Sequence, residues 1–315
     1  MPATAVRSLA LRAILHRSMH AERKALLQIH ACVVLWGFTA ILGKLITLPA
    51  AALVWWRMLM VAGFLLLLPR VWRALRGMPP RLLAIYAGIG GVVALHWLTF
   101  YGAIKLANAS VAATCMALGS VFAAVLEPRL TGRRMSWREV GLGLAAIPGV
   151  ALVVGGMPAG MRTGFAVGVV SAALTAVFTV MNKRWATRSD ALGVTFVEMA
   201  AGFLLLWACL PLLDLLPGAD ARILVPDARD ALLLLLLALA CTVLPFALSL
   251  VALRQVSAFS MQLALNLEPV YAIVLAMLLL GEHRELGVAF YLGVAIVLAA
   301  VFAQPLLARR RSIAA

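Results

Sequence analysis

Of the 315 residues, 64% are hydrophobic and 12% charged, with a mean hydropathy of +1.04, and this composition excludes an ordinary soluble domain. The net charge of +15 does not indicate nucleic acid, because the basic residues fall between apolar runs instead of forming one patch. They read as an orientation signal in an integral membrane protein, with anionic lipid as a secondary partner.

The chain opens on a basic segment, Arg7, Arg12, Arg17, Arg23 and Lys24. It carries no cleavage pattern, so residues 1–26 are predicted to be a cytoplasmic tail and not a transit peptide. Ten apolar runs follow, most of them about 20 residues, the length that crosses a hydrocarbon core. They are Leu27 to Ile46, Pro49 to Leu68, Leu82 to Ile104, Ala109 to Leu126, Val140 to Val154, Thr163 to Asn182, Ala191 to Leu213, Ala231 to Leu253, Ala258 to Leu280, and Leu286 to Leu307. Unpaired backbone groups are costly in lipid, so each is expected to be a helix. The fifth run is the shortest. A short basic tail, residues 308–315, closes the chain.

Charge fixes the expected orientation. With both termini in the cytoplasm, the inner segments hold most of the Arg and Lys, among them Arg70, Arg73, Arg76, Arg81, Arg129, Arg133, Arg134, Lys183, Arg184 and Arg309. The outer side keeps Lys105, Arg162, Arg222, Arg229 and Arg284, and its longest loop carries Asp214, Asp220, Asp227 and Asp230. That is the positive-inside pattern. Cys32, Cys115, Cys209 and Cys241 lie singly within apolar runs, which implies neither disulfide nor metal site.

The runs are duplicated. Ala103 to Arg133 recurs at one constant offset as Ala252 to Glu282: Ala103, Ala109, Leu118, Val121, Ala123, Leu130 and Gly132 match Ala252, Ala258, Leu267, Val270, Ala272, Leu279 and Gly281. Lys105 stands against Arg254. Five predicted spans separate the copies, and an odd number inverts the second copy in the membrane, the plan of many secondary transporters. Gly37 to Lys44 closes the first span as Ala176 to Lys183 closes the sixth, and the Gly/Pro-rich stretch Gly155 to Gly164 divides the halves.

Trp36-Gly37 with Lys44, Trp56-Arg57, the Ala-hydrophobic-Lys/Arg exits of the third and eighth spans, and Pro269 to Glu282 together resemble the EamA-like branch of the drug/metabolite transporter superfamily. The resemblance implies two five-helix repeats, 27–154 and 163–307, and cargo passage through a central cavity by alternating access. Gly281-Glu282 keeps the Gly-Glu end of the family motif, and Gly132-Arg133 departs from it.

Ionisable groups at membrane depth cost about 2.5 to 3.5 kcal/mol on insertion scales, so each calls for a reason. Glu268 lies about ten residues, or about 15 Å, into the ninth span, next to Pro269, which frees a carbonyl near Leu265. Glu268 is expected to bind a proton or a cationic cargo, sharing a helix face with Met261, Leu265 and Tyr271; the bland alternative is a carboxylate paired to another helix. His96 with Trp97 and Tyr101 suits flat or cationic cargo, against a histidine that only hydrogen-bonds a neighbouring helix. Arg57 and Glu198 stand at equivalent depths in the two halves and form a candidate intramembrane ion pair. Lys44 is a candidate gate residue or a snorkelling side chain. Ser171, Thr175, Phe178, Thr179 and Asn182 recur at helical spacing, with packing favoured over cavity lining. Gly37, Gly43, Gly90, Gly91, Gly141 and Gly149 are expected to allow close helix contact.

The expected function is secondary transport of a small metabolite or amino-acid-like solute across a bacterial inner membrane, directed outward and either proton-coupled or facilitative. No ATP-binding motif is present, and no cofactor, metal or nucleic-acid partner is expected. The competing class is a membrane-embedded enzyme acting on a lipid or isoprenoid, which would need paired acids or a His/Glu zinc cluster; H-E-x-x-H is absent from the sequence. The sequence leaves the oligomeric state open.

Overall fold

The computed structural model describes residues 3–132, 134–185, 188–213, 222–256, 261, 264–265 and 267–312. Every regular element among them is helical, as expected where lipid offers the backbone no partners. Helix α1 runs from Ala3 to Leu45 and so begins well before the predicted first span, making the backbone of the basic tail helical. Next come α2 (Ala50–Leu66), α3 (Pro69–Arg76), α4 (Pro80–Leu106), α5 (Ala109–Met116), α6 (Gly119–Thr131), α7 (Trp137–Ala145) and α8 (Ile147–Gly155). The second half holds α9 (Arg162–Trp185), α10 (Ala191–Leu213), α11 (Ala228–Ala238), α12 (Leu244–Ala252), α13 (Leu267–Leu275) and α14 (Val288–Ser312).

Among the described residues, six helices are long and apolar enough to cross a membrane, or seven if the bent pair α2–α3 is one span. That pair turns by 88° between Leu66 and Pro69. Proline pre-sets the first turn of α3, and its three arginines suit a helix lying along the membrane surface. Leu267–Leu280 and Val288–Ala300 are shorter apolar helices. The fifth predicted run is two helices divided at Ala146, ahead of Pro148, and the fourth is divided by a turn at Ala117 and Leu118.

Connecting segments gather in two sets. In one, the backbone and hydroxyl of Thr47 donate to Asp230 at 2.7 to 3.1 Å, Lys105 donates to the Ile46 carbonyl, and Glu282 holds Ala109 and Ser110. In the other, Arg70 pairs with Asp190 at 2.7 Å. There too Tyr86 donates to the Trp185 carbonyl at 2.9 Å, Arg184 to Leu130 at 2.7 Å and Arg254 to Ser189 at 2.6 Å. These two sets define the ends of the bundle, and consecutive long helices run between them.

Small residues set the closest crossings. A β-carbon on Gly90 would lie 2.2 Å from the Glu198 carbonyl oxygen, so α4 and α10 touch backbone to backbone there. Gly149 and Gly293 play the same part between α8 and α14, and Gly43 faces the ring of Tyr101. Gly141 meets nothing within 4 Å, contrary to its expected role in close packing. Gly132 and Gly281, matched positions of the duplication, both adopt the left-handed conformation (φ 77° and 68°) and end their helices alike. Arg133 and Ala258, matched to Glu282 and Ala109, lie outside the described residues, as do Asp214 and Asp220.

Candidate functional site in the central cavity

A cavity opens between the two halves. The first half contributes Trp36 and Thr39 from α1, Arg57 from α2, His96, Trp97 and Phe100 from α4, and Met116 at the end of α5. The second contributes Thr175, Phe178, Thr179 and Asn182 from α9, Phe246, Ser249 and Leu250 from α12, with Leu253, Met261, Leu265 and Glu268 following. The wall is thus largely aromatic, with one fixed cation, one carboxyl group and a row of hydroxyls.

Arg57 is held by three oxygen acceptors and one aromatic ring. Its Nε donates to the Thr242 hydroxyl at 2.8 Å, Nη1 to the Tyr101 hydroxyl at 2.6 Å, and Nη2 to the Cys241 carbonyl at 3.5 Å. The guanidinium carbon lies 3.7 Å from the centre of the Trp97 ring, in a cation–π contact. The local cause is a wide helical turn at Leu239–Val243, just before α12. Pro245 brings no N–H to the ladder, and the wider turn carries the Thr242 hydroxyl, which itself donates to Leu237 O at 2.6 Å, into reach of Arg57. Only a planar fork with five donors satisfies this set of acceptors.

Glu268 lines the same cavity from the second half, and Arg57 is the charge that acts on it. Among the described residues no hydrogen bond reaches its carboxyl group. Pro269, which follows, leaves the Leu265 carbonyl without its helical donor, and Leu265 lines the same cavity.

His96 joins both sequence expectations. It lines the cavity, and its Nδ1 also lies 2.8 Å from the hydroxyls of Ser171 and Thr175 and 3.1 Å from the Ser171 carbonyl. Phe178 stacks beside it at 5.4 Å. The Ser/Thr face of α9 therefore both packs and lines: Ser171 fixes the imidazole, whereas Thr175, Thr179 and Asn182 reach the cavity.

The remaining candidates fall elsewhere. Tyr101 is fully buried behind Trp97, where it orients Arg57 without lining the cavity. Tyr271 is 44% exposed, with its β-carbon against Gly37. It does not line the cavity with Glu268, although residues three apart share one side of an α helix. Lys44 is exposed outside the cavity. Arg57 and Glu198 are not brought together as an ion pair: Arg57 turns to Tyr101 and Thr242, and Glu198 lies against Gly90 with Asn182 as its polar neighbour.

Sequence reasoning gave no weight to Trp36, Phe246, Ser249 or Leu250 as lining residues. The signal that could have found Phe246 was Pro245 beside it, a helix irregularity of the kind that surrounds such sites.

Three comparisons bear on this arrangement. The model of the EamA-like transporter family matches residues 23–155 and again 162–303. A solved structure described only as "Crystal structure of protein" superposes with a TM-score of 0.62 at 19% identity, over 91% of this chain and 98% of its own, a likeness of fold alone. No curated protein matches.

Proposed function

The chain belongs to the EamA-like transporter family, and from that premise we propose that it is a secondary carrier that moves a small zwitterionic, amino-acid-like metabolite outward across a bacterial inner membrane, coupled to protons. The observation that carries this reading is the cavity itself. It lies between the halves and is lined by Arg57 from the first, Glu268 from the second and the rings of Trp97, Phe178 and Phe246. A zwitterion presents its carboxylate to the guanidinium and its ammonium to Glu268, and the rings of Trp97, Phe178 and Phe246 take an apolar side chain.

In this proposal the helices make ten passes as two inverted five-helix repeats, with α7–α8 as the fifth. Two observations support the inversion. Gly132 and Gly281 end matched helices in the same left-handed conformation. Lys105 and Arg254, also matched, bind backbone carbonyls of equivalent loops, Ile46 and Ser189, in opposite end sets. The positive-inside pattern supports a cytoplasmic position for both termini. Alternating access then requires the contacts of one end to part while those of the other hold. No feature of the cavity favours the enzyme reading.

The test is transport in vesicles reconstituted with the purified protein, using a panel of amino acids and related metabolites with and without a proton gradient. Movement of at least one zwitterion, accelerated by the gradient and competed by its analogues, is expected. Chemical conversion of a lipid without vectorial movement would sink the proposal.

A further inference from the structure

Glu198 is fully buried and Asn182 is 2% exposed. Both carboxyl oxygens of Glu198 and the Oδ1 of Asn182 lie out of contact with solvent and without a hydrogen-bond partner. Such groups are rare in folded proteins, and each needs an explanation. Asn182 is the polar side chain that acts on Glu198, yet its amide stands outside bonding geometry with either carboxyl oxygen, so three neighbouring oxygens, all acceptors, are left without a donor. A single proton changes that balance, since it turns one carboxyl oxygen into a donor and the Asn182 oxygen into its acceptor. A hard metal cation would need six or more oxygens, twice what this place offers.

We propose that Glu198 and Asn182 form a proton-binding site behind the wall of the central cavity, with Asn182 as its connection to the cavity. Asn182 lines the cavity, whereas Glu198 is held one layer further back. Gly90 lets the backbone of α10 at Glu198 lie directly on α4, which fixes where the acid sits. The proton reaches the carboxyl group from the cavity past Asn182, whose oxygen then accepts it in a hydrogen bond, and leaves by the same route when the cavity faces the other side. No bond other than O–H forms or breaks.

The surroundings suit a site governed by one proton. From α4, Tyr86 is the titratable group whose charge reaches Glu198, and its hydroxyl is committed to the Trp185 carbonyl. His96, also on α4, is bound to Ser171 and Thr175. From α2, Arg57 turns to Tyr101 and Thr242; from α3, Arg70 pairs with Asp190. Helix α12 carries no titratable side chain. Among the described residues no cation acts on the Glu198 carboxyl group, and cargo binding at Arg57 and Glu268 stays separate from proton binding at Glu198.

The coupling role rests on the carrier reading; the proton site itself does not. Infrared spectra of the purified protein test the site directly. The C=O stretch of a protonated carboxyl group is expected in the wild type and in Glu268→Gln, and one component of it is lost in Glu198→Gln, whose side chain imitates the neutral acid and preserves packing. Asn182→Leu is expected to keep the band and slow its shift on transfer to heavy water. Persistence of the full band in Glu198→Gln overturns the site. In vesicles, Glu198→Gln is expected to retain solute exchange at the wild-type rate while gradient-driven accumulation falls to the level seen with no gradient. Wild-type accumulation in that variant overturns the coupling role, and a wild-type protein that moves no solute overturns the carrier reading and the coupling with it, leaving the infrared result to decide the proton site.

Discussion

The carboxylate of Glu282 accepts the amide hydrogen of Ser110 at 2.8 Å and its hydroxyl hydrogen at 2.6 Å, while its other oxygen takes the amide of Ala109 at 3.0 Å. An acid from the second half thus satisfies the first free N–H groups of α5, a helix of the first half, and lies at the positive end of its dipole. The family's Gly-Glu pair acquires a physical meaning here. Gly281 turns the chain in the left-handed conformation and Glu282 ties the two halves together.

Replacing Glu282 by Ala leaves two buried amides and a hydroxyl without an acceptor, at about 1 to 3 kcal/mol for each group stranded. The melting temperature of the detergent-solubilised protein is expected to fall by several degrees, with Glu282→Gln intermediate because it keeps one acceptor oxygen. An unchanged melting curve for the alanine variant would remove Glu282 from the contacts that join the halves.

Gly90 and Gly141 make a paired prediction, because the sequence assigns both to close packing and the structure separates them. A methyl group on Gly90 would lie 2.2 Å from the Glu198 carbonyl oxygen, and on Gly141 it would meet nothing within 4 Å. Gly90→Ala forces α4 and α10 apart, at about 1 to 3 kcal/mol or more. Gly141→Ala is expected to be neutral or to stabilise by up to about 1 kcal/mol, as alanine does in a helix. Thermal melts of the two variants under one detergent condition decide the matter, and equal effects would contradict the described crossing.

The contrast shows what the sequence made legible. Apolar runs announced the helices, and Glu268, His96 and Trp97 announced the cavity, because polar and aromatic groups at membrane depth are conspicuous against a hydrocarbon background. What remained hidden was facing. In a soluble helix the apolar stripe marks the buried side, but lipid and protein interior are equally apolar. Nothing in the local pattern therefore distinguishes Phe246, buried in the cavity wall, from Leu244, which is 52% exposed. The partners of Arg57 were hidden for the same reason: Thr242 and Cys241 reach it only through a wide helical turn that no periodicity reveals.

That difference bears on a charge-reversal experiment. Equivalent depths in the two halves suggest Arg57 with Glu198, yet Arg57 is bonded to Thr242 and Tyr101. The double reversal Arg57→Glu with Glu198→Arg is therefore expected to be no better than either single change, in transport and in folded yield. Rescue by the double variant would establish a pairing in some state of the transport cycle.

Outside the membrane-spanning helices, stability is expected to depend on pH through Asp190. Partial burial alone would raise its carboxyl group, but the hydrogen bond and positive charge of Arg70, with the amide of Leu192, more than offset this and hold it below the ordinary aspartate value. A depressed acid stabilises the fold above its unfolded-state value and loses that contribution as pH falls through the folded one. Asp190→Asn is expected to melt below the wild type at neutral pH, with the gap closing in acid. Arg70 is largely exposed, so the gap is small and shrinks in high salt. A gap that stays constant from neutral to strongly acidic pH would dismiss the pair as a stabilising contact.

The sharpest test of cargo recognition is Glu268→Gln. The change keeps the shape of the side chain and removes the carboxyl group that lines the cavity with Arg57. A hydrogen bond to a charged group is worth about 1.5 to 3 kcal/mol. Losing it between the cargo ammonium and Glu268 weakens binding by about 10- to 150-fold. The prediction is a KM raised by that factor for a zwitterion, with a smaller change for an analogue that lacks the amino group. Protein level and melting behaviour should stay near those of the wild type, because no other side chain depends on the Glu268 carboxyl group for a hydrogen bond. Unchanged transport of both substrates would take Glu268 out of the binding site, and an equal loss for both would point to a role in the moving parts of the carrier.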